Sequence, residues 1–461
     1  MQYENSQTVR KVVVIGGSAA GMMAAIAAAK QDPSARVTII SSDAIAYRRP
    51  GIPALIAGYI AGPEDVAICS NQTLNRYNIK LICPADALDI DPGQKTITIQ
   101  TNNKKQNINF TATVLATGGH PLIAKIPGSD KKGVCTFTTF EAAGQIVKIA
   151  KTADTAVVIG AGFIALEIAE ALMHKKIKIY FNVRSRILRK LLEPNISEFL
   201  IAHFQNKGLK MLTDEAISEI GGNESVEYVI HKNTKIPASL VIMGTGVKPN
   251  VELAAKCGIE LGASGAVKVD NFMQTSLPGI YAAGDCAESP DLDTGKFVYS
   301  PLGSIGASAG ICAGKNAAGA NSRTTGFIRA QADEILGLQI FSIGHSSTTA
   351  TEVDLKAQVH TLTPPANMEN KTTKPFELGV ILTDSNDKII GAQLVTKKHG
   401  SQFAWQLYQA VLSKEERTGF IRRFSSPRLK ISQAMLNILN SDIIAEKIGQ
   451  NTTLKLVQQT K

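Results

Sequence analysis

Residues 11–30 read KVVVIGGSAAGMMAAIAAAK. A β-branched run from Val12 to Ile15 is followed by a glycine turn and then by alanines at helical density. In that order each small residue has a task beside a phosphate. Gly16 permits the tight turn, Ser18 lets backbone approach a pyrophosphate, and Gly21 lets the helix close on the strand. Ala19 and Ala20 open the predicted helix, whose first N–H groups would face the anion. The strand-like RVTII returns at residues 36–40, as a βαβ unit requires.

The same construction recurs at residues 155–186, TAVVIGAGFIALEIAEALMHKKIKIYFNVRSR, with Gly160, Gly162 and Ala165 between the strand-like AVVI and an amphipathic helix. Two such units predict two dinucleotides. One cofactor that stays and one that exchanges is the simplest arrangement, and it describes a flavin reduced by a nicotinamide.

At 461 residues the chain is long enough for about three domains, each with its own core. Hydrophobic residues at 44% and charged residues at 19% are ordinary for a globular protein, and no apolar run reaches the roughly 20 residues of a membrane span. The start, MQYENSQTVRK, has no apolar signal region, which leads us to expect a cytoplasmic protein. Six separated cysteines, Cys69, Cys83, Cys135, Cys257, Cys286 and Cys312, form no close pair, so neither a disulfide framework nor a zinc site is expected. The net charge of +10 is not gathered into one block and aromatics are only 5%, which argues against a nucleic-acid platform but suits an acidic partner.

Three further stretches, TVLATGG (113–119), LVIMGTGVKPN (240–250) and TSLPGIYAAGDCAE (275–288), resemble in order those of the pyridine nucleotide-disulfide oxidoreductase superfamily. The resemblance runs from about Val12 to Gly319. It implies an α/β fold with two Rossmann-like dinucleotide-binding domains, one for FAD and one for NAD(P), plus an α+β carboxy-terminal interface domain. The expected division is 1–119 with 245–325 for FAD, 120–244 for NAD(P)H, and 326–461 for the interface. It further implies that Asp285 holds the ribityl chain of FAD and that the helix in PLGSIGASAGICAGKNAAG (301–319) points its amino-terminal end at the flavin ring. Ala116, Thr117, Gly118, Gly246 and Gly284 complete the expected cofactor contacts in these stretches. FELGVILTDSNDKIIGAQLVTKKHG (376–400) reads as two strands around a polar turn, followed by helical patterns at 401–414 and 431–447. GAQLV resembles the interface domain of the NADH oxidase and coenzyme A-disulfide reductase branch, which implies a homodimer.

In that branch the segment after the second FAD strand carries a redox cysteine before Gly-Ile-Pro. Here residues 46–53 read AYRRPGIP, with Tyr47, Gly51, Ile52 and Pro53 matching and Pro50 in the cysteine's place. Proline can neither attack a disulfide nor form a sulfenic acid. YRRP resembles instead the segment that ferredoxin and rubredoxin reductases set against the flavin, where proline's fixed φ and apolar ring shape a wall. Those reductases carry a lysine after it, paired with a glutamate. This chain has Ala54 at the lysine position, while Glu167 matches the glutamate. Arg48 and Arg49 are candidates to stabilise reduced flavin or to steer an acidic carrier, and Tyr47 to pack beside the ring.

An acidic residue about 20 positions after a glycine loop normally binds the adenosine ribose. In the second unit that position is Asn182, followed by Arg184, Arg186 and Arg189, which predicts use of NADPH or of both nucleotides. In the first unit it falls at Ser41, with Asp43 just beyond. Phe163, Ile164 and Glu167 at the start of the second helix are placed to order the nicotinamide.

The resulting expectation is a FAD enzyme passing electrons between NAD(P)H and a protein carrier of ferredoxin or rubredoxin type. The alternatives are an NAD(P)H oxidase releasing hydrogen peroxide and a flavin-binding subunit of a larger redox complex. His120 reads as a loop residue, and His345, His360 and His399 fall in the interface domain without a metal-ligand pattern.

Overall fold

The computed structural model describes residues 9–43, 47, 51–362, 376–397 and 400–424. Arg48, Arg49, Pro50, His399 and the helical pattern at 431–447 lie outside the described residues.

The chain divides into two compact units, residues 1–49, 62–120 and 247–327 in one and residues 50–61, 121–246 and 328–461 in the other. The segments read as nicotinamide-binding and interface domains therefore fall in the same unit, together with residues 50–61.

The first unit is built on a five-stranded parallel sheet in the order Ile280–Ala282, Ala112–Leu115, Lys11–Ile15, Arg36–Ile40, Ile79–Ile82. Its strands are nearly continuous runs of Val, Ile, Leu and Ala because both faces are covered. The helix Ala19–Gln31 packs along the helix Gly303–Ala317 at backbone distance. A Cβ on Gly310 would lie 2.2 Å from the Ala20 carbonyl oxygen, and one on Gly314 would lie 2.0 Å from that of Ala24. The alanines and glycines read as helix formers thus serve chiefly to remove side chains from this contact. A separate antiparallel sheet, Asp86–Asp91, Thr96–Thr101 and Lys104–Asn109, was not read from the sequence.

The second unit repeats the parallel sheet in the order Lys210–Thr213, Lys178–Val183, Thr155–Gly160, Leu240–Gly244, Val134–Cys135. The helix Phe163–His174 follows the second glycine turn and packs against the short helix Ile52–Ala57. The same unit holds a five-stranded antiparallel sheet, in the order Ala330–Ile335, Leu338–Gly344, Ile389–Thr396, Leu378–Thr383, Gln358–Leu362. Leu378–Thr383 and Ile389–Thr396 are the strands expected around TDSND, and the helix Gly400–Leu412 covers them with Phe403, Ala404, Leu407 and Val411.

Glu193 ties the two parts of this unit together. It is 4% exposed, and its carboxylate accepts bonds from the Ser347 N–H and hydroxyl, both at 2.8 Å. Its backbone N–H donates to Gln393 at 2.6 Å. No helix of the described residues is long and apolar enough to cross a membrane.

Candidate functional site

Both glycine turns end in helices with unspent amino termini. Ser18 precedes one and Gly162 the other, neither makes a side-chain capping bond, and neither helix has an acidic residue in its first turn. The first N–H groups of each helix are therefore open to an anion, and no carboxylate there opposes a pyrophosphate. Gly16 has φ +116°, and a Cβ on it would overlap the Ala116 carbonyl oxygen at 2.0 Å, so the turn admits only glycine. A Cβ on Gly162 would meet nothing within 4 Å, which leaves the approach to the second loop clear. The residues present fit a dinucleotide at each turn.

In the first unit, Gly284 closes on Ala20, with 2.8 Å between a Cβ built on Gly284 and that of Ala20. Asp285 is half-buried close to Gly119. The ATGG turn is clamped by Asn250, a residue the sequence reading quoted without assigning. The Thr117 hydroxyl donates to the Asn250 carbonyl at 2.7 Å, the Asn250 amide donates to the Thr117 carbonyl at 2.8 Å, and the Asn250 N–H donates to the Gly118 carbonyl at 3.0 Å. His120 Nδ1 lies 2.5 Å from Asn250 Oδ1, so His120 belongs to this clamp. Beyond the second strand, the buried Ser41 hydroxyl donates to the Asp43 carbonyl at 3.0 Å, and Asp43 itself is exposed. Tyr47 is 8% exposed and bridges to Ala67.

In the second unit, Phe163 is buried and Ile164 is 43% exposed. Asn182 is 2% exposed and turned inward, its amide donating to the Leu212 carbonyl at 3.1 Å and the Glu215 carbonyl at 2.8 Å. Its Oδ1 is buried with no partner among the described residues. The arginine segment after it is tied to the glycine loop by the Leu188 N–H, which donates to the Ala161 carbonyl at 2.7 Å. Arg186 donates to the Arg189 carbonyl at 3.0 Å, whereas Arg184 and Arg189 are exposed. Ser185, Arg186, Arg189 and Thr348 line a cleft of about 420 Å³. Gly246, with φ +121°, ends the segment after the strand Leu240–Gly244.

Glu167, one turn into the second helix, has its carboxyl enclosed near Asp333 of the strand Ala330–Ile335, with Oε2 buried and without a hydrogen-bond partner among the described residues. Burial first, then the neighbouring Asp333 carboxyl and the negative charge of Glu170, push its pKa well above the usual carboxylate range. Glu170 is pushed up to about 7, first by burial and then by Asp333 and Glu334, while the Leu336 N–H bonded to it at 3.1 Å opposes the shift. No sequence spacing pointed to Asp333, because its neighbour in space is 166 positions away.

Burial pushes up the thiol pKa values of Cys69, Cys135, Cys257, Cys286 and Cys312. His345 is buried, and His360 Nε2 lies 2.9 Å from the Thr383 hydroxyl.

Residues 10–296 match the family described as pyridine nucleotide-disulphide oxidoreductase. The chain is 30% identical over 396 residues to an NADH oxidase of Methanocaldococcus jannaschii, covering 84% of this chain and 87% of that one. It is 31% identical over 347 residues to a CoA-dependent NAD(P)H sulfur oxidoreductase of Pyrococcus furiosus, covering 74% and 78%. Among solved structures, an NAD-dependent persulfide reductase from A. fulgidus is similar with TM-score 0.81 and 28% identity, over 88% of this chain and 77% of that one.

Proposed function

The chain belongs to the pyridine nucleotide-disulphide oxidoreductase family, and from that premise we propose that this FAD-dependent NAD(P)H oxidoreductase passes electrons to a protein carrier without using a thiol of its own. The observation that carries this reading is Pro50 in the place of the redox cysteine. The six cysteines stand elsewhere in the sequence, and burial holds five of them protonated.

Bound FAD supplies the change from two-electron hydride chemistry to single-electron transfer. The chain's own residues bind and orient. The open helix terminus after Gly16 holds one pyrophosphate, with Ser18, Ala19, Ala20 and Gly21 giving close approach, Asp43 reaching the ribose, and Ala116, Thr117, Gly118, Gly284 and Asp285 fixing the far end. The terminus after Gly162 holds the other, with Phe163, Ile164 and Gly246 bordering the nicotinamide end. At the adenosine end Asn182 adds no charge, while Arg189 stands exposed at the cleft and Arg184 is exposed in the same segment, and both can pair with a 2′-phosphate, so NADPH is the favoured nucleotide. Tyr47 packs as a wall residue, and the net charge of +10 suits an acidic carrier.

The protein acts as a homodimer in this reading. Trp405 and Tyr408, stacked at 5.5 Å between ring centres, and Leu412, 45% exposed, leave one face of the helix Gly400–Leu412 for the partner.

A second reading, direct reduction of oxygen to hydrogen peroxide, is favoured by the likeness to the Methanocaldococcus jannaschii NADH oxidase. Stopped-flow reoxidation of NADPH-reduced enzyme separates them. Slow reaction with oxygen and fast reaction with oxidised ferredoxin or rubredoxin is expected. Fast reaction with oxygen that no carrier accelerates overturns the carrier reading in favour of an oxidase.

A further inference from the structure

The segment 184–193 joins the strand Lys178–Val183 to the helix Pro194–Asn206 and carries the arginines read as binding a 2′-phosphate. The glycine turn fixes it at one point, through the Leu188 N–H on the Ala161 carbonyl at 2.7 Å. Leu188 itself has φ +50°, a left-handed backbone that a leucine keeps only where its surroundings hold it. The next three carbonyls are all taken by hydroxyls from the carboxy-terminal part of the same unit. Thr348 donates to the Arg189 carbonyl at 3.2 Å, Ser346 to that of Lys190 at 2.8 Å and Ser342 to that of Leu191 at 2.9 Å. Ser342 and Ser346 are buried, and Ser347 closes the row on the Glu193 carboxylate.

The same contacts sort the charges along the segment. Glu352, at the end of the short helix Ser347–Glu352, holds the Lys190 ammonium at 2.7 Å. Arg186 donates to the Arg189 carbonyl at 3.0 Å, beside the Thr348 hydroxyl, so that one carbonyl accepts two donors. Its direction is thereby fixed, and with it the point from which the Arg189 side chain leaves the backbone. That side chain is exposed at the cleft which Thr348 also lines. A long cation on a fixed backbone gives up less freedom when it closes on a phosphate than one on a loose loop.

We propose that Thr348, with Ser346 and Ser342 behind it, is a positioning residue for nucleotide choice, so that the carboxy-terminal sheet and the turn after its strand Leu338–Gly344 set the arginine segment for the 2′-phosphate. This rests on the reading of the second glycine turn as the nicotinamide nucleotide site and of Arg189 as a phosphate contact. Thr348 acts through Arg189 rather than on the nucleotide. NADPH carries the 2′-phosphate and NADH does not, so loosening the row weakens NADPH and leaves NADH nearly level.

The test is a double-mutant cycle on the FAD-loaded enzyme, Thr348→Val against Arg189→Ala, read as KM and kcat for each nucleotide. Thr348→Val should raise the KM for NADPH about threefold with kcat level, shift the KM for NADH by less than about twofold, and add nothing once Arg189 is alanine. Thr348→Ser, which keeps the hydroxyl, should restore the wild-type KM for NADPH. Equal losses with both nucleotides, or a loss that persists in the Arg189→Ala background, overturn the positioning role and leave the reading of the second turn standing. Hydrogen exchange on the wild-type protein decides where the valine variant fails to fold. NADP+ should slow exchange in 184–193 and 342–348 together, while NAD+ leaves 342–348 unchanged. Slowing confined to 184–193 overturns the proposal. A wild-type KM for NADH well below that for NADPH overturns the 2′-phosphate reading and the proposal with it, and binding of neither nucleotide overturns the reading of the second turn itself.

Discussion

The two glycine-turn helices start alike and are used differently. Ala19–Gln31 is almost all alanine, glycine and methionine, and the backbone of another helix presses on it at Gly310 and Gly314. Phe163–His174 keeps side chains and carries two glutamates raised by burial. Even the small residue has changed place. In the first turn Gly21 sits on the helix, where a Cβ would lie 1.9 Å from the Gly16 carbonyl oxygen. In the second the helix has Ala165, and the facing strand makes room with Gly244, where a Cβ would come 2.9 Å from that of Ala165. A helix locked by backbone contact suits a cofactor that stays. A helix with room and titratable groups suits one that comes and goes.

The strongest attempt to break this contrast puts a branched side chain into the locked contact. Gly314→Val drives a Cβ to 2.0 Å from the Ala24 carbonyl oxygen, which only backbone movement can relieve. A loss of about 3 kcal/mol or more is expected, seen as a lower melting temperature and as FAD-depleted protein after purification. Gly162→Ala is the control on the other helix. Its φ of −91° is ordinary and its surroundings are open, so stability should change by less than about 0.5 kcal/mol while the nicotinamide KM rises. Equal destabilisation by the two substitutions would remove the distinction.

The acidic face of the second helix gives a pH signature. Glu170 ionises at about 7 in the folded protein against 4.5 ordinarily. A raised carboxyl pKa means that its contribution to stability is complete below 4.5 and is lost as pH climbs through 7. Glu170→Gln keeps an acceptor for the Leu336 N–H and removes the titration. The variant should therefore gain about 1–3 kcal/mol over wild type at pH 8 and nothing at pH 4, by denaturant unfolding at both values. A constant difference across that range would mean that Glu170 is not held in the neutral form.

What could be read from the chain follows from where the information sits. The strand, glycine turn and helix of each unit are local, with turn chemistry and periodicity inside 30 residues, and both appear in the structure at the expected positions. The hairpin around TDSND was equally legible because its polar turn interrupts two β-branched runs. Asp333 was not, since nothing in QADEI, residues 331–335, announces a carboxyl neighbour on a helix 166 positions earlier. Asn250 escaped for the same reason: its three bonds reach back 132 or 133 residues to the ATGG turn. The antiparallel strands from Asp86 to Asn109 alternate polar and apolar residues too weakly for period alone, with only Ile90, Ile97 and Ile99 fully buried among them.

The smallest expected effect bears on the adenosine end of the exchanging cofactor. Arg189 is exposed at the cleft, and Arg186 grips its carbonyl rather than its side chain, so truncation at 189 removes a charge without releasing the loop. Arg189→Ala should raise the KM for NADPH about tenfold, about 1.4 kcal/mol, and change kcat/KM for NADH less than about twofold. Arg184→Ala should act in the same direction, and the pair together by less than the product of the two, because both would contact one phosphate. The split between nucleotides is the informative quantity. A loss shared equally by NADPH and NADH would assign Arg189 to the pyrophosphate or to loop order, and the preference between the two nucleotides would then have to come from Arg184.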